Sequence, residues 1–233
     1  ALQSVTHVVH AAASIQFNLP LPLAARANVQ ATLGVLALAQ TLPRIERFVY
    51  VSTAYVTPHR AGEPIRESLV ALPAPATELF ATCQSGAGNN GDDAALLRRT
   101  GHPNTYTFTK AIAEHLVVER RGQLPVTIVR PSIVAPSRHH PFPGWIDSAA
   151  GVAGLVMYAG TGYLRAFVCD PAARLDLIPV DDVAREIVRA SVSDTGDAGV
   201  RHVVAGAAQA PTMAQTWDAT RRYLPTLLRA SIV

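Results

Sequence analysis

Two residues four positions apart, Tyr106 and Lys110, are the pair in this sequence best suited to acid–base chemistry. They open a helical pattern that continues to about residue 119, and a helix places positions i and i+4 on one face. A free phenol, with a pKa of roughly 10, is a poor acid or base at neutral pH. Because a cation one turn away favours the phenolate, we expect Lys110 to lower the pKa of Tyr106. The spacing therefore predicts a side chain that can give or take a proton.

The composition indicates a globular chain of one large domain, or of one domain and a small lobe. It has 233 residues, of which 49% are hydrophobic and 16% are charged. The net charge of +3 comes without a basic run, so nucleic acid is not an expected partner. Two distant cysteines, Cys83 and Cys169, indicate a reducing, cytoplasmic setting. We expect no metal site, and no apolar run of the ~20 residues that span a bilayer.

Strand and helix patterns alternate through the first part of the chain. Residues 5–13, 47–53 and 125–131 are short apolar runs that predict buried strands. Helical patterns cover residues 20–43 and the stretch from Tyr106 onward, and a polar, proline-rich insertion spans residues 58–103. This alternation predicts an α/β fold with a parallel sheet and crossover helices.

The remaining residues predict a smaller mixed region. Helical patterns appear at residues 145–159, from residue 181 and at residues 212–228, and short strand patterns at residues 175–179 and 202–206. The apolar segment 151–159 is typical of a buried helix, and it would also suit an apolar tunnel or contact with a membrane surface.

One glycine pattern is misleading. Residues 86–91 match G-x-G-x-x-G, but no convincing strand precedes them, and Asp92 and Asp93 would repel a pyrophosphate from the following helix. A surface turn is the better interpretation. The sequence has no other glycine-rich loop, whereas a dinucleotide-binding fold opens with a strand, such a loop and a helix. We therefore expect a sheet that lacks its first βα units.

The order of the motifs resembles the extended short-chain dehydrogenase/reductases, and within them the fatty acyl-CoA reductases with their male-sterility-type domain. Three stretches carry the resemblance: residues 103–114 (P-N-T-Y-x-x-T-K-A-x-A-E), residues 130–134 leading to residues 141–147, and residues 177–183. The resemblance implies an N-terminally truncated, partial Rossmann-like doubly wound parallel sheet in residues 1–140, with the insertion at 58–103. Residues 141–233 would form a small substrate-binding lobe that returns partly to the sheet.

The resemblance also implies roles for individual residues. Tyr106 would protonate a carbonyl oxygen, Lys110 would bind the nicotinamide ribose, and Thr53 would hydrogen-bond the same carbonyl oxygen. Asn28 would tie its helix to neighbouring backbone, while His10 is interpreted as a packed core histidine. The residues expected to approach the cofactor are Ala12, Ala13, Ser14, Asn28, Ser52, Tyr106, Lys110, Pro131, Ser132 and Ile133. NADPH is the expected cofactor, with NADH as the alternative.

The expected function is NAD(P)H-dependent reduction of a fatty acyl thioester, acyl-CoA, to the aldehyde or the alcohol. One alternative is a reductase domain for carrier-bound thioesters, and another is an extended short-chain dehydrogenase that acts on sugars or steroids. A non-catalytic dinucleotide-binding module is the alternative of a different class. Peripheral membrane contact stays open, and the sequence does not indicate an oligomeric state.

Overall fold

The computed structural model describes residues 2–58, 64–86, 93–164, 166–193, 199–223 and 231–232. In chain order the strands are His7–His10 (β1), Arg47–Val51 (β2), Val126–Pro131 (β3), Ile133–Ala135 (β4), Ala166–Phe167 (β5), Leu177–Pro179 (β6), Gly199–Val203 (β7) and Ser231–Ile232 (β8). The α-helices are Leu21–Ala25 (α1), Ala31–Gln40 (α2), Ala76–Ser85 (α3), Asp93–Thr100 (α4), Thr105–Arg120 (α5), Gly151–Gly160 (α6), Val180–Ser191 (α7) and Met213–Tyr223 (α8). A π-helical turn, Arg26–Gln30, joins α1 to α2.

The main sheet has four strands in the order β1-β2-β3-β7, and β1, β2 and β3 are parallel. Strand β2 is apolar from Phe48 to Val51 because both of its faces are covered, and Phe48, Val49 and Tyr50 are fully buried. In the register, His10 lies opposite Tyr50 and Val51 lies opposite Val129, so the three strands end along one edge. The predicted α/β class with a parallel sheet is confirmed.

Helix α5 packs on this sheet. Asn104 caps its start, since the Asn104 Oδ1 accepts a hydrogen bond from the Thr107 backbone N–H at 2.9 Å. Phe108, Ile112 and Leu116 are fully buried in the core that also contains β2 and β3 side chains. The cap and the buried stripe together fix the first turn of the helix, which carries Tyr106.

The run from Leu21 to Gln40 corrects one expectation. It is 20 residues long with a mean hydropathy of 1.2, so by length and composition alone it could cross a membrane, although no such run was expected. The run is also the crossover helix between β1 and β2. Its residues Leu21, Val29 and Leu36 are buried in the core of the sheet, a position that accounts for their apolar character.

The chain divides into two compact units, one formed by Ala1–Arg130 with Ile187–His202 and the other by Pro131–Glu186 with Val203–Val233. Residues 131–140 therefore belong to the second unit, whereas the sequence placed them in the first. The physical reason is that β4, at Ile133–Ala135, pairs in parallel with β6 in a separate two-stranded sheet. Such pairing between distant segments leaves no local signal in the sequence.

Several element bounds also differ from the sequence predictions. The insertion at residues 58–103 contains two helices, α3 and α4. The helix predicted from residue 145 begins only at Gly151, because the Ser148 hydroxyl accepts a hydrogen bond from the Ala150 N–H and Gly151 has a positive φ of 60°. Gly86, with a φ of 65°, ends α3, while residues 87–92 of the glycine pattern and residues 224–230 of the predicted last helix lie outside the described residues.

Candidate active site

The three predicted catalytic residues meet at the carboxyl end of β2. Lys110 donates a hydrogen bond from Nζ to the carbonyl oxygen of Val51, the last residue of β2, at 2.6 Å. Thr53 follows two residues later, and its hydroxyl is near enough to Tyr106 to lower the pKa of the phenol. Helix α5 thus presents Tyr106 and Lys110 to the same strand end. Ligands of open α/β sheets bind at this end of the strands.

The acidity of Tyr106 differs from the sequence expectation. Burial raises the pKa of Tyr106 above its usual value, and the Thr53 hydroxyl lowers it by a smaller amount. Lys110 was expected to lower this pKa, and that expectation is wrong for the structure described. The reason is that burial of the phenol is the larger effect. The Lys110 ammonium is bonded to the Val51 carbonyl and lies 4.1 Å from the centre of the Tyr50 ring.

Lys110 is an unusual residue in this chain. It is the only lysine, every other member of the 20 Lys+Arg being arginine. Its side chain is 1% exposed, and burial lowers the pKa of Lys110 to about 7, with an opposing contribution from Glu114. A buried amine can change its charge near neutral pH, which an arginine cannot do. The presence of lysine at this one position, in a chain that otherwise uses arginine, is a sequence signal that could have pointed to Lys110 as a functional residue.

Ser52 and Thr53 complete the strand end. The Thr53 Oγ1 accepts a hydrogen bond from the Tyr55 N–H at 3.3 Å, so its own proton is free to be donated toward Tyr106 or a substrate. The Ser52 backbone N–H is bonded to the Val129 carbonyl at 2.7 Å. Its buried hydroxyl has no partner among the described residues. A buried, unpartnered hydroxyl at a strand end is suited to receive a ligand group.

The segment after β1 runs along the same edge of the sheet, because His10 is paired with Tyr50. Ala12 and Ala13 are exposed there. Asn28 holds the next residue, Ser14, with two hydrogen bonds, one from the Ser14 N–H at 2.8 Å and one to the Ser14 carbonyl at 3.1 Å. Its amide also donates to the Thr109 Oγ1 of α5 at 3.1 Å. Asn28 lies in the π-helical turn, a feature that is frequent at functional sites.

Replacing Asn28 by alanine is expected to destabilise the protein by about 1–3 kcal/mol, because the buried partners lose their hydrogen bonds. The measurement is urea unfolding followed by circular dichroism. The matched control is Gln40→Ala, which also removes an amide. The Gln40 side chain makes one exposed hydrogen bond, to the Arg120 carbonyl. We expect the control to change stability by less than about 0.5 kcal/mol, and equal effects of both variants would contradict the role of Asn28.

His10 is buried, as interpreted from the sequence. Its Nε2 lies 2.9 Å from the Thr32 Oγ1, and its ring stacks on Tyr50 with centroids 5.9 Å apart. Burial lowers the pKa of His10, and the positive charge of Lys110 lowers it further. The Lys110 ammonium therefore lies over the Tyr50 ring, and the neutral imidazole of His10 stacks on that same ring. Tyr50 had no assigned role in the sequence interpretation, because only the folded structure shows where its ring lies.

Phe17 is a second residue whose position the sequence did not reveal. Its ring is 63% exposed and packs against Tyr106, with centroids 5.8 Å apart. The backbone around it is tied to α5, since the Thr105 hydroxyl donates to the Leu19 carbonyl at 2.8 Å. Phe17 thus covers part of the phenol and leaves a large apolar surface beside it.

The remaining cofactor candidates lie in the second unit. Pro131 ends β3 and Ile133 begins β4. Ser132 donates a hydrogen bond from its hydroxyl to Asp176 Oδ1 at 2.7 Å, and the same carboxylate accepts from the Ala205 N–H at 2.8 Å. The side chain of Ser132 is therefore engaged in holding its own unit together. Within the described ranges, no group of His, Cys, Asp and Glu side chains is arranged to hold a metal ion.

The parallel sheet and the Thr53–Tyr106–Lys110 cluster define a Rossmann-like protein of the extended short-chain dehydrogenase/reductase type. The family model of the male sterility protein matches residues 1–187, and the chain belongs to this family. It is 40% identical over 184 residues to fatty acyl-CoA reductase 1 of Xenopus laevis, which covers 79% of this chain and 35% of the relative. Identity to fatty acyl-CoA reductase 2 of Mus musculus is 36% over 183 residues, 78% of this chain and 35% of the relative. The chain thus spans about a third of the length of these relatives.

Solved structures share the fold. The terminal R domain of the myxalamid PKS-NRPS biosynthetic pathway superposes with a TM-score of 0.71 at 26% identity, over 100% of this chain and 50% of that one. The structure of MoeE5 in complex with UDP-glucose and NAD gives a TM-score of 0.69 at 23% identity, over 100% of this chain and 66% of that one. The second similarity is one of fold alone.

Proposed function

We propose that this chain carries the reductase site of an NAD(P)H-dependent fatty acyl-CoA reductase. The observation that carries the proposal is the meeting of a threonine hydroxyl, a phenol and a buried amine at the end of one parallel strand. Thr53, Tyr106 and Lys110 come from two elements and converge there. The curated relatives named above, at 36–40% identity, support fatty acyl-CoA as the substrate.

The residues at this edge fit a nicotinamide dinucleotide. The exposed Ala12 and Ala13 have small side chains that let a flat ligand approach the backbone, and the unpartnered Ser52 hydroxyl is available as a donor. Lys110 would hold the ribose hydroxyls, and when bound the reduced nicotinamide supplies a hydride. NADPH is the cofactor we propose, with NADH as the alternative.

The side chains of the site account for the rest of the reaction. The Thr53 hydroxyl and the Tyr106 phenol would both donate to the thioester carbonyl oxygen, where negative charge develops as the carbonyl carbon is reduced. Tyr106 then gives its proton to that oxygen; its pKa lies well above neutral pH, so the phenol carries this proton before the step. The resulting hemithioacetal loses the thiol and leaves an aldehyde. A second round of reduction would give the alcohol.

The first test is a substrate panel. The whole protein is assayed with NADPH and with NADH against a fatty acyl-CoA, an acyl-carrier protein and a nucleotide sugar. We expect oxidation of the cofactor with acyl-CoA, and formation of a fatty aldehyde or alcohol by mass spectrometry. Turnover restricted to the acyl-carrier protein would favour a carrier-bound thioester reductase, the alternative that the similarity to the myxalamid R domain supports.

Thr53 gives a specific prediction. Thr53→Ala is expected to lower kcat for acyl-CoA by about 10²-fold, because one donor to the developing oxyanion is lost. Thr53→Ser keeps the hydroxyl and should retain most of the activity. Thr41→Ala is the matched control, because the Thr41 hydroxyl makes one exposed hydrogen bond, to the Leu38 carbonyl at the end of α2. The assignment fails when Thr53→Ala and Thr41→Ala have similar kcat values.

We also propose roles for the regions around the site. The insertion would border the substrate entrance, since Thr57, Ile65, Leu69 and Val70 line a cavity of about 400 Å³ in the first unit. The second unit would contact the acyl chain, with the apolar helix α6 as the proposed surface for it. For the location of the protein we propose the reducing cytoplasm, which the free cysteines Cys83 and Cys169 support. Peripheral contact with a membrane is the alternative.

A further inference from the structure

The surroundings of Lys110 contain few charges. Besides its bond to the Val51 carbonyl, the ammonium interacts with three titratable groups, His10 of β1, Tyr50 of β2 and Glu114 of α5. His10 and the Tyr50 phenol are neutral near pH 7, because burial lowers the pKa of His10 and raises that of Tyr50. Within this set of described residues, Glu114 supplies the negative charge.

Glu114 is held rigidly in place. It lies four residues after Lys110 on α5, one helical turn away on the same face. Arg130 of β3 binds both of its carboxylate oxygens, from Nε to Oε1 at 2.9 Å and from Nη2 to Oε2 at 2.6 Å. Arg130 is 0% exposed and Glu114 is 1% exposed. The carboxylate therefore cannot rotate toward solvent, and its distance from Lys110 is fixed by the helix and by β3.

A buried ion pair is costly to assemble. Replacing such a pair by apolar side chains of similar volume is often neutral or stabilising, so stability alone is a weak reason for Glu114 and Arg130 to be charged. The position of Glu114 beside the only lysine of the chain supplies a second reason. Burial disfavours the ammonium form of Lys110, and Glu114 opposes that effect.

We propose that Glu114, clamped by Arg130, is a positioning residue whose carboxylate keeps the buried Lys110 charged at the active site. The effect of Glu114 on catalysis rests on the proposed function, in which a charged Lys110 holds the ribose of the cofactor. The electrostatic coupling itself rests on the geometry of α5 and β3 and can be measured without substrate.

The test is a direct titration of Lys110. The protein is made with isotope-labelled lysine, the side-chain signal that is missing from a Lys110→Arg variant is assigned to Lys110, and its Cε chemical shift reports protonation. In the wild-type chain we expect a midpoint near pH 7, since burial lowers the pKa of Lys110 to about 7. In Glu114→Gln we expect a midpoint at least about one pH unit lower, because the ammonium loses its counter-charge.

A second variant separates this role from a structural one. Glu114→Gln leaves the buried Arg130 without its counter-charge, so this variant can fail to fold. The double variant Glu114→Gln/Arg130→Met removes both charges, and in it we also expect a lowered Lys110 midpoint with thermal stability close to that of the wild type. A wild-type midpoint in the folded double variant overturns the proposal, because the pair would then act only as a neutral structural unit.

The result of the Lys110 titration is independent of the result of the substrate assay. A wild-type protein that reduces acyl-CoA, together with an unshifted Lys110 titration in the variants, defeats this inference and leaves the proposed function standing. A shifted titration in a protein that is inactive with acyl-CoA defeats the proposed function and leaves the coupling of Glu114 to Lys110 standing.

Discussion

Tyr106→Phe is expected to lower kcat for a fatty acyl-CoA by about 10²- to 10⁴-fold, because the variant has no proton to give to the carbonyl oxygen. The phenylalanine ring fits the same space. It keeps the ring contact with Phe17, and it lacks only the hydroxyl group. The fold and the approach of the cofactor should therefore be unchanged. The expected loss is in kcat, with little change in the dissociation constant of NADPH.

The measurement is steady-state oxidation of NADPH by the wild type and the variant, combined with calorimetric binding of NADPH to each. Tyr163→Phe is the matched control, because it makes the same change at a tyrosine that is 85% exposed. We expect the control to have wild-type activity. A Tyr106→Phe variant that retains turnover within a few-fold of the wild type would remove Tyr106 from the proton-transfer role.

Arg130→Met is expected to cost about 3–5 kcal/mol of the free energy of unfolding. The methionine fills most of the volume, but the Glu114 carboxylate is left buried without the two hydrogen bonds at 2.9 and 2.6 Å. Arg130 Nη1 also lies 3.4 Å from His202 Nε2, so β7 loses a contact in the same variant. Denaturant unfolding monitored by circular dichroism measures this loss.

Arg185→Met is the control for that measurement. Arg185 forms a 2.6 Å ion pair with Asp182, but its side chain is 56% exposed, so we expect a cost below about 1 kcal/mol. The double variant Glu114→Gln/Arg130→Met should recover most of the stability that Arg130→Met loses. If Arg130→Met and Arg185→Met are equally stable, the buried pair does not contribute to the fold as described.

The helix and strand periodicities were sufficient to predict the parallel α/β class and the common face of Tyr106 and Lys110. Both depend on local geometry, which the spacing of residues records. The role of Asn28 as a tie to backbone followed from the family resemblance, and the structure shows its partner to be Ser14. These predictions needed no knowledge of which distant segments touch.

Features that depend on tertiary burial could not be predicted from the sequence. The direction of the pKa shift of Tyr106 was predicted wrongly, because it depends on the depth of burial of the phenol. The Glu114–Arg130 pair joins α5 to β3 across a separation of 16 residues. The pairing of β4 with β6, which moves the boundary between units, is likewise a contact between distant segments.

Transfer of deuterium from the cofactor to the product is the most direct test of whether Thr53, Tyr106 and Lys110 form a reductase site. The whole protein is incubated with a fatty acyl-CoA and NADPH deuterated at the nicotinamide C4, and the products are analysed by mass spectrometry for the wild type and Tyr106→Phe. We predict deuterium at C1 of the aldehyde or alcohol made by the wild type, and at least about 10²-fold less labelled product in the variant. Labelled product formed equally fast by both proteins, or none formed by the wild type, would contradict the account.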